Sequence, residues 1–325
     1  MAYQMNWSES GVAMLGPTES GKTTFLCALK KALLEHEEDW VLFTRDPASQ
    51  RQLEEMSSAL ISEGGFPMPT RTVDTIRWIL GGPAERRERR GRFGREIRVK
   101  DRVEITLRLT DAPGGLGSAD RIGLTERGEL VKQLADSYGV LYMFDPIREF
   151  THGDAFDRTE SLLSELMGML SQEPGYDGKL PHRLAVCVTK LDDPRVFKTA
   201  HDLGLLIPDD SNRWGFPRVH ETDAQALFHA LGEISKSGNG EAVPTMLERY
   251  FHPERISYYV TSAVGFMVNR RTRRFDPRDT ENVYRTASGA PLVRGSVHPI
   301  NVVEPVLWIV RQLAPLAPAP QAPLA

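Results

Sequence analysis

The chain has 325 residues, 40% hydrophobic and 26% charged, enough to bury a substantial core in one large domain or two small ones. Its formal net charge of −4 excludes the global basic excess that would make nucleic acid or an anionic membrane an obligatory partner. Two cysteines, no basic-then-apolar leader over residues 1–10 and no run of 18 apolar residues exclude a disulfide framework, a signal region and a membrane-spanning helix, and point to the cytoplasm.

Residues 11–16 form a short apolar run that ends in a glycine loop. Residues 22–36 follow with helical apolar spacing at Phe25, Leu26, Leu29, Leu33 and Leu34. Residues 40–43 read as extended. Pro47 opens a second helix over 48–62, which Gly64 and Gly65 end. Two β-like runs, 72–80 and 102–110, read as a hairpin; the second alternates cleanly at Val103, Ile105, Leu107 and Leu109. Between them, 85–100 reads as a long, strongly charged tip. A helix over 126–136 precedes a strand over 139–145, and a helix over 156–170 precedes a strand over 183–189. A polar, irregular stretch and two helices, near 223–235 and 242–251, lead to a strand over 255–261. A last helix spans about 301–313, and the Pro/Ala-rich residues 314–325 are expected to be disordered. Cys27 and Cys187 fall in apolar helix and strand patterns and read as core residues.

This alternation of helices with apolar strands specifies an α/β fold with a mainly parallel sheet and one antiparallel hairpin strand. A single elaborated domain is expected over 11–313, after a lead-in at 1–10. It carries a hairpin insertion at about 81–101 and helical insertions at about 45–66 and 195–252.

The residues Gly16, Pro17, Thr18, Glu19, Ser20, Gly21, Lys22 and Thr23 fit G-x-x-x-x-G-K-[ST] between an apolar strand and an apolar helix. Gly16 and Gly21 let the backbone curl so that the N–H groups of the loop, from Thr18, Glu19 and Ser20 to Thr24 in the first helical turn, face the phosphates. Lys22 reaches the β- and γ-phosphates, and the Thr23 hydroxyl binds magnesium. The positive end of the helix adds to the site. This pattern specifies a nucleoside triphosphate and is silent on ATP versus GTP.

Three more short motifs each close a strand: Asp111-Ala112-Pro113-Gly114, then Thr189-Lys190-Leu191-Asp192, then Thr261-Ser262-Ala263. In open α/β sheets, ligands bind at the carboxyl ends of strands, where all four motifs fall. In this order the set resembles the Ras-like and translation-factor class of P-loop GTPases, with a three-layer P-loop NTPase fold. The resemblance implies GTP and GDP as ligands and Mg2+ as cofactor. Asp111 would hold magnesium through water, and the Gly114 N–H would meet the γ-phosphate. Asp192 would accept from the ring N–H and amino group of guanine, a donor pair that adenine lacks. The aliphatic stem of Lys190 would cover the base plane, Thr189 stands where Asn is common, and Ser262 and Ala263 would contact the guanine oxygen. A loop threonine should cap magnesium. Thr70 is preferred over Thr72 because it sits in the loop, and Thr44 ranks third. Arg71 is a candidate arginine in cis.

The sequence departs from that class at two positions. Gly115 stands where many members place a water-orienting Gln, and Thr18 stands where Ras-like loops often carry Gly, so that its side chain would crowd an arginine finger. The Arg-rich segments 85–100 and 270–274 read as solvated, partly self-neutralised loops. The alternatives are an anionic partner surface or an arginine given in trans to a second GTPase. Phe93 is the one interleaved aromatic residue of the first segment, so an RNA-reading surface is not indicated.

The loop at 15–24, the helical insertion ahead of 67–70, the strand end at 142–146 and the terminal helix at 301–308 resemble the prokaryotic double-GTPase type of bacterial conflict systems. That implies a partner GTPase and effectors encoded nearby. The excess of Arg over Lys, with plentiful Ala, Pro and Gly, fits a GC-rich bacterial genome. The expectation is a magnesium-dependent GTP-binding switch with slow hydrolysis, acting with a partner GTPase or effector or as a homodimer. Its rivals are a non-hydrolysing nucleotide-gated scaffold and a P-loop small-molecule kinase.

Overall fold

Apolar residues that alternate along a strand face two different layers, and here both faces are covered by helices. The computed structural model describes residues 11–17, 20–36, 38–67, 76–90, 95–109, 124–209 and 212–313. In chain order these form β1 (Val12–Leu15), α1 (Lys22–Leu33), β2 (Val41–Phe43), α2 (Pro47–Ile61), β3 (Ile76–Arg90), β4 (Arg95–Leu109), α3 (Leu124–Ala135) and β5 (Gly139–Phe144). There follow α4 (Pro146–Thr151), α5 (Ala155–Leu170), β6 (Arg183–Val188), α6 (Pro194–Asp202), β7 (Leu206–Pro208), β8 (Pro217–Val219), α7 (Glu221–Glu233) and α8 (Ala242–Tyr250). The last elements are β9 (Ile256–Val260), β10 (Val283–Arg285), β11 (Pro291–Val293) and α9 (Glu304–Leu313).

One seven-stranded sheet, ordered β2-β3-β4-β1-β5-β6-β9, organises the molecule. β3 runs antiparallel to both of its neighbours, while the other six strands share one direction. This is the mainly parallel sheet with one antiparallel hairpin strand that the sequence pattern specifies. The side-chain period of two divides each central strand between two cores. Ala13, Val140, Tyr142, Phe144, Leu184, Val186 and Val188 pack with residues of α3, α5, α6, α7 and α8. Val12, Met14, Leu141, Met143, Ala185 and Cys187 pack on the other face with residues of α1, α2 and α9. Cys27 and Cys187 are free and buried, and burial pushes both thiols up, Cys27 to about 11, which matches their reading as core residues.

Three helices begin with the same dipeptide. Asp46, Asp145 and Asp193 each cap a helix whose first residue is proline, their carboxylates accepting from Ser49, from Ile147 and Arg148, and from Arg195. Asp suits the cap because its side chain satisfies orphan N–H groups, and proline at the first position lacks the N–H that would be orphaned. The sequence reading used this signal at Pro47 and passed over it at Pro146 and Pro194. In consequence α4, and α6 within the stretch read as irregular, were not expected. The small antiparallel pairs β7–β8 and β10–β11 were not expected either.

The largest correction concerns the hairpin. The segment read as a charged loop, 85–100, is mostly strand: β3 and β4 stay in register from Ile76 opposite Leu109 to Arg90 opposite Arg95. β2 pairs with β3 only at 79–81 and β1 with β4 only at 107–109, so the outer part of the ribbon extends past the sheet. Arg and Glu dominate 85–100, so no apolar alternation marks this part of the ribbon as strand. The final helix begins at Glu304 rather than 301, because Asn301 adopts a left-handed φ of 53°. Residues 1–10 and 314–325 lie outside the described residues. Among the described residues no helix is long and apolar enough to cross a membrane.

Candidate nucleotide site

β1 and β5 are neighbours, yet the connection from β1 leaves across one face of the sheet through α1 and that from β5 across the other through α5. Such a switch point opens a crevice at the carboxyl ends of the strands. The glycine-rich loop lies there. Its two glycines are required for different reasons. A Cβ on Gly16 would lie 2.8 Å from the Met143 carbonyl oxygen of β5, so the loop can sit against that strand only without a side chain. Gly21 has a φ of 89°, where an L side chain is strained, and caps α1. Lys22 is buried and its Nζ donates to the carbonyl oxygens of Gly16 and Pro17, both at 2.9 Å, so its ammonium is held across the loop. Ser20 is buried with a hydroxyl that meets no partner among the described residues. Among the described residues the first turn of α1 holds no acidic residue and no side-chain cap against its positive end. Thr23 and Thr24 are half-buried in that turn. A curled backbone, a held ammonium, an orphan hydroxyl and a bare helix N-terminus form a cradle that fits a phosphate chain. The chain has an α/β fold with a mainly parallel sheet, and this cradle lies at the carboxyl ends of its strands.

The second half of the site is the loop 189–192, which leaves β6 beside β5 and β9. Each of its four residues is anchored to a neighbouring strand end. Thr189 donates its N–H and its hydroxyl to the Phe144 carbonyl oxygen, each at 2.9 Å. Lys190 places Nζ 2.6 Å from Asp145 Oδ2. The Leu191 N–H donates to the Thr261 carbonyl oxygen at 3.1 Å. Asp192 accepts from the Ser262 hydroxyl, which in turn accepts from the Gly265 N–H at 2.8 Å. The last residue of β5 with the one that follows it, and the two residues after β9, therefore hold four consecutive residues after β6. Lys190 has a φ of 62°, a left-handed conformation that costs a non-glycine residue about 1–2 kcal/mol. These anchors hold it there.

Asp192 is 7% exposed, and burial pushes its carboxyl up to about 6, with the Ser262 hydrogen bond opposing the rise and the neighbouring Asp193 adding to it. Asp193 itself is turned away: it caps α6 and its carboxylate takes the Arg195 guanidinium at two contacts of 3.0 Å. A desolvated carboxylate accepts hydrogen bonds strongly, because it lacks the water that would otherwise satisfy it.

The structure thus gathers Gly16, Ser20, Gly21, Lys22, Thr23 and Thr24 at the end of β1, and Thr189, Lys190, Asp192, Ser262 and Ala263 at the ends of β6 and β9, with β5 between. Thr18, Glu19, Thr70, Arg71, Thr72, Asp111, Gly114 and Gly115 lie outside the described residues. Among the described residues no cluster of three or more His, Cys, Asp or Glu side chains could hold a metal, so Thr23 is the expected magnesium ligand whose place is described. Asp145 is a site residue that the motifs do not include, although its Asp-Pro dipeptide after an apolar strand announces a helix cap at this end of the sheet.

No family model and no curated protein matches the chain. Similar solved structures include the Arl6 (BBS3) small GTPase from Trypanosoma brucei with the nucleotide analogue GppNp, at 13% identity over 78% of this chain and 87% of that one, with a TM-score of 0.29. Sup35 complexed with GDP is similar at 12% identity over 81% of this chain and 40% of the other, with a TM-score of 0.30. The S. cerevisiae Ski7 GTPase-like domain bound to GTP is similar at 14% identity over 82% and 46%, with a TM-score of 0.35. The chain spans less than half the length of the last two. At such scores the likenesses are remote, and the functional reading rests on this chain's own residues.

Proposed function

We propose that this chain is a magnesium-dependent guanine-nucleotide switch that hydrolyses GTP slowly by itself and acts with a partner GTPase or effector. The observation that carries the reading is Asp192, a buried carboxylate locked by Ser262 on the same sheet edge as the phosphate cradle. Guanine offers that carboxylate two N–H donors side by side, and adenine does not. The Thr23 hydroxyl, with Asp111 and Thr70, would hold magnesium, which when bound supplies positive charge against the phosphate oxygens. Lys22 already has its ammonium at the loop and needs only to exchange two carbonyl partners for phosphate oxygens.

Calorimetry with GDP, GTP and ATP tests the base. A site built for specific donors rejects a ligand lacking them by up to roughly 10⁴-fold. Asp192→Asn should weaken GDP and shift preference toward xanthosine diphosphate, whose extra carbonyl the amide can meet. Equal wild-type affinity for ATP and GTP would sink the proposal.

Slow turnover follows from Gly115, which offers no side chain to orient water. Water orientation and an arginine finger together supply about 10⁵-fold in related chemistry. Isolated single-turnover hydrolysis should run on the order of 10⁻² per second or slower. Several turnovers per second, independent of protein concentration, would contradict it. The absence of any turnover with or without partner would favour a nucleotide-gated scaffold, the reading that Gly115 also supports.

A further inference from the structure

The anchoring of the base loop is uneven. Thr189 and Leu191 are held by backbone carbonyls, which any residue could supply. Lys190 is held by a side chain, Asp145, and that side chain is almost wholly buried: 2% exposed, against 35% for Lys190. A carboxylate removed from water must have its oxygens satisfied. Asp145 divides them. Oδ1 accepts from the N–H groups of Ile147 at 3.0 Å and Arg148 at 3.2 Å, capping α4. Oδ2 is left for Lys190 Nζ at 2.6 Å. Lys190, for its part, is the one residue of the loop in a left-handed conformation, and nothing in its own covalent geometry favours that state.

We infer that Asp145 is a positioning residue for nucleotide recognition: it acts through the Lys190 ammonium to fix the lysine stem as a platform for the base. This deepens the proposed function and rests on it. Asp145 does not meet the nucleotide. It selects, among the many rotamers of a lysine, the one that keeps the four-carbon stem stretched along the rim between β5 and β6. Without that pairing Lys190 regains its side-chain freedom, and ordering it becomes a cost of every binding event. Because the platform faces the base and not the phosphates, GDP and GTP should lose affinity equally.

The test separates the platform from the helix cap. Asparagine caps helices as well as aspartate does, so Asp145→Asn keeps the Oδ1 acceptor for α4 and removes the charge that holds Lys190. Asp145→Ala, which loses both, is the stability control, read by thermal melting. The probe is a fluorescent GDP, titrated into the wild-type chain, Asp145→Asn, Lys190→Met and the double variant. Methionine keeps an apolar stem and has no ammonium to pair. Asp145→Asn is expected to raise the Kd for GDP and GTP about tenfold alike, with little change in melting, a loss of the size of one charge-assisted hydrogen bond. In the Lys190→Met background the same change should have almost no effect. Wild-type affinity in Asp145→Asn, or an equal loss in both backgrounds, would overturn the inference while leaving guanine binding intact. No binding of either nucleotide by the wild-type chain would instead overturn the reading beneath it, and the inference with it.

Discussion

The phosphate loop and the base loop sit on one sheet edge and are built in opposite ways. The phosphate loop is held by its own residues. Ser20 N–H donates to the Pro17 carbonyl, Lys22 to those of Gly16 and Pro17, and the turn is made by two glycines. Gly16 also makes a bare approach to Met143 of β5. The base loop has almost no internal support: Thr189, Lys190, Leu191 and Asp192 are held by Phe144, Asp145, Thr261 and Ser262. A loop that holds itself survives changes in its surroundings, whereas one clamped from both sides reports on the strands that clamp it.

The largest test of this contrast is Lys22→Ala. It removes charge-assisted contacts to phosphate worth about 1.5–3 kcal/mol each, so GDP and GTP affinity should fall at least about a hundredfold. Guanosine, which carries no phosphate, should bind the variant as it binds the wild type. A parallel loss of guanosine would mean that the two loops are not separable units. Calorimetry with the nucleoside and the diphosphate gives both answers.

A smaller effect should separate the loops by pH. The ionised form of Asp192 accepts from guanine, and in the free protein its carboxyl is raised to about 6 by burial. Below that value binding must first expel a proton. Affinity for guanosine, which carries no phosphate to titrate in the same range, should therefore fall about tenfold between pH 7 and pH 5. The stability of the ligand-free chain responds with the opposite sign. A folded value above the unfolded one means that burying the charge costs stability above about pH 6, and that cost disappears as pH falls toward 4. The smallest effect belongs to Ser262→Ala. It removes the hydrogen bond that opposes the rise, so the fall in affinity should begin at a higher pH. Titrations of guanosine at a series of pH values check both, and an unmoved profile in the serine variant would mean that Ser262 does not hold Asp192 in solution.

The same contrast explains what was legible. Gly16, Gly21, Lys22 and Thr23 are local: chain reversal, phosphate charge and helix start fall within eight letters, so the spacing alone names the chemistry. Central strands β5 and β6 were legible because both faces are buried and the runs are continuously apolar. The outer part of the ribbon formed by β3 and β4 was not, because its letters are dominated by Arg and Glu and carry no apolar period. α4 and α6 were missed although Asp145-Pro146 and Asp193-Pro194 repeat the signal read at Pro47. Those helices are short, six and nine residues, and too brief for a helical apolar period to stand out.

By itself the sequence determined the fold class, the phosphate cradle and the order of the motifs, since each depends on residues adjacent in the chain. Only the tertiary structure decided which groups hold the base loop. Lys190 and Asp145 are separated by 45 residues, Asp192 and Ser262 by 70, and both pairs meet because parallel strands bring their carboxyl ends to one edge. A partner chosen by sheet order leaves no periodic mark in the sequence: its identity follows from which strand lies beside which, and that is settled by how two apolar faces are buried at once.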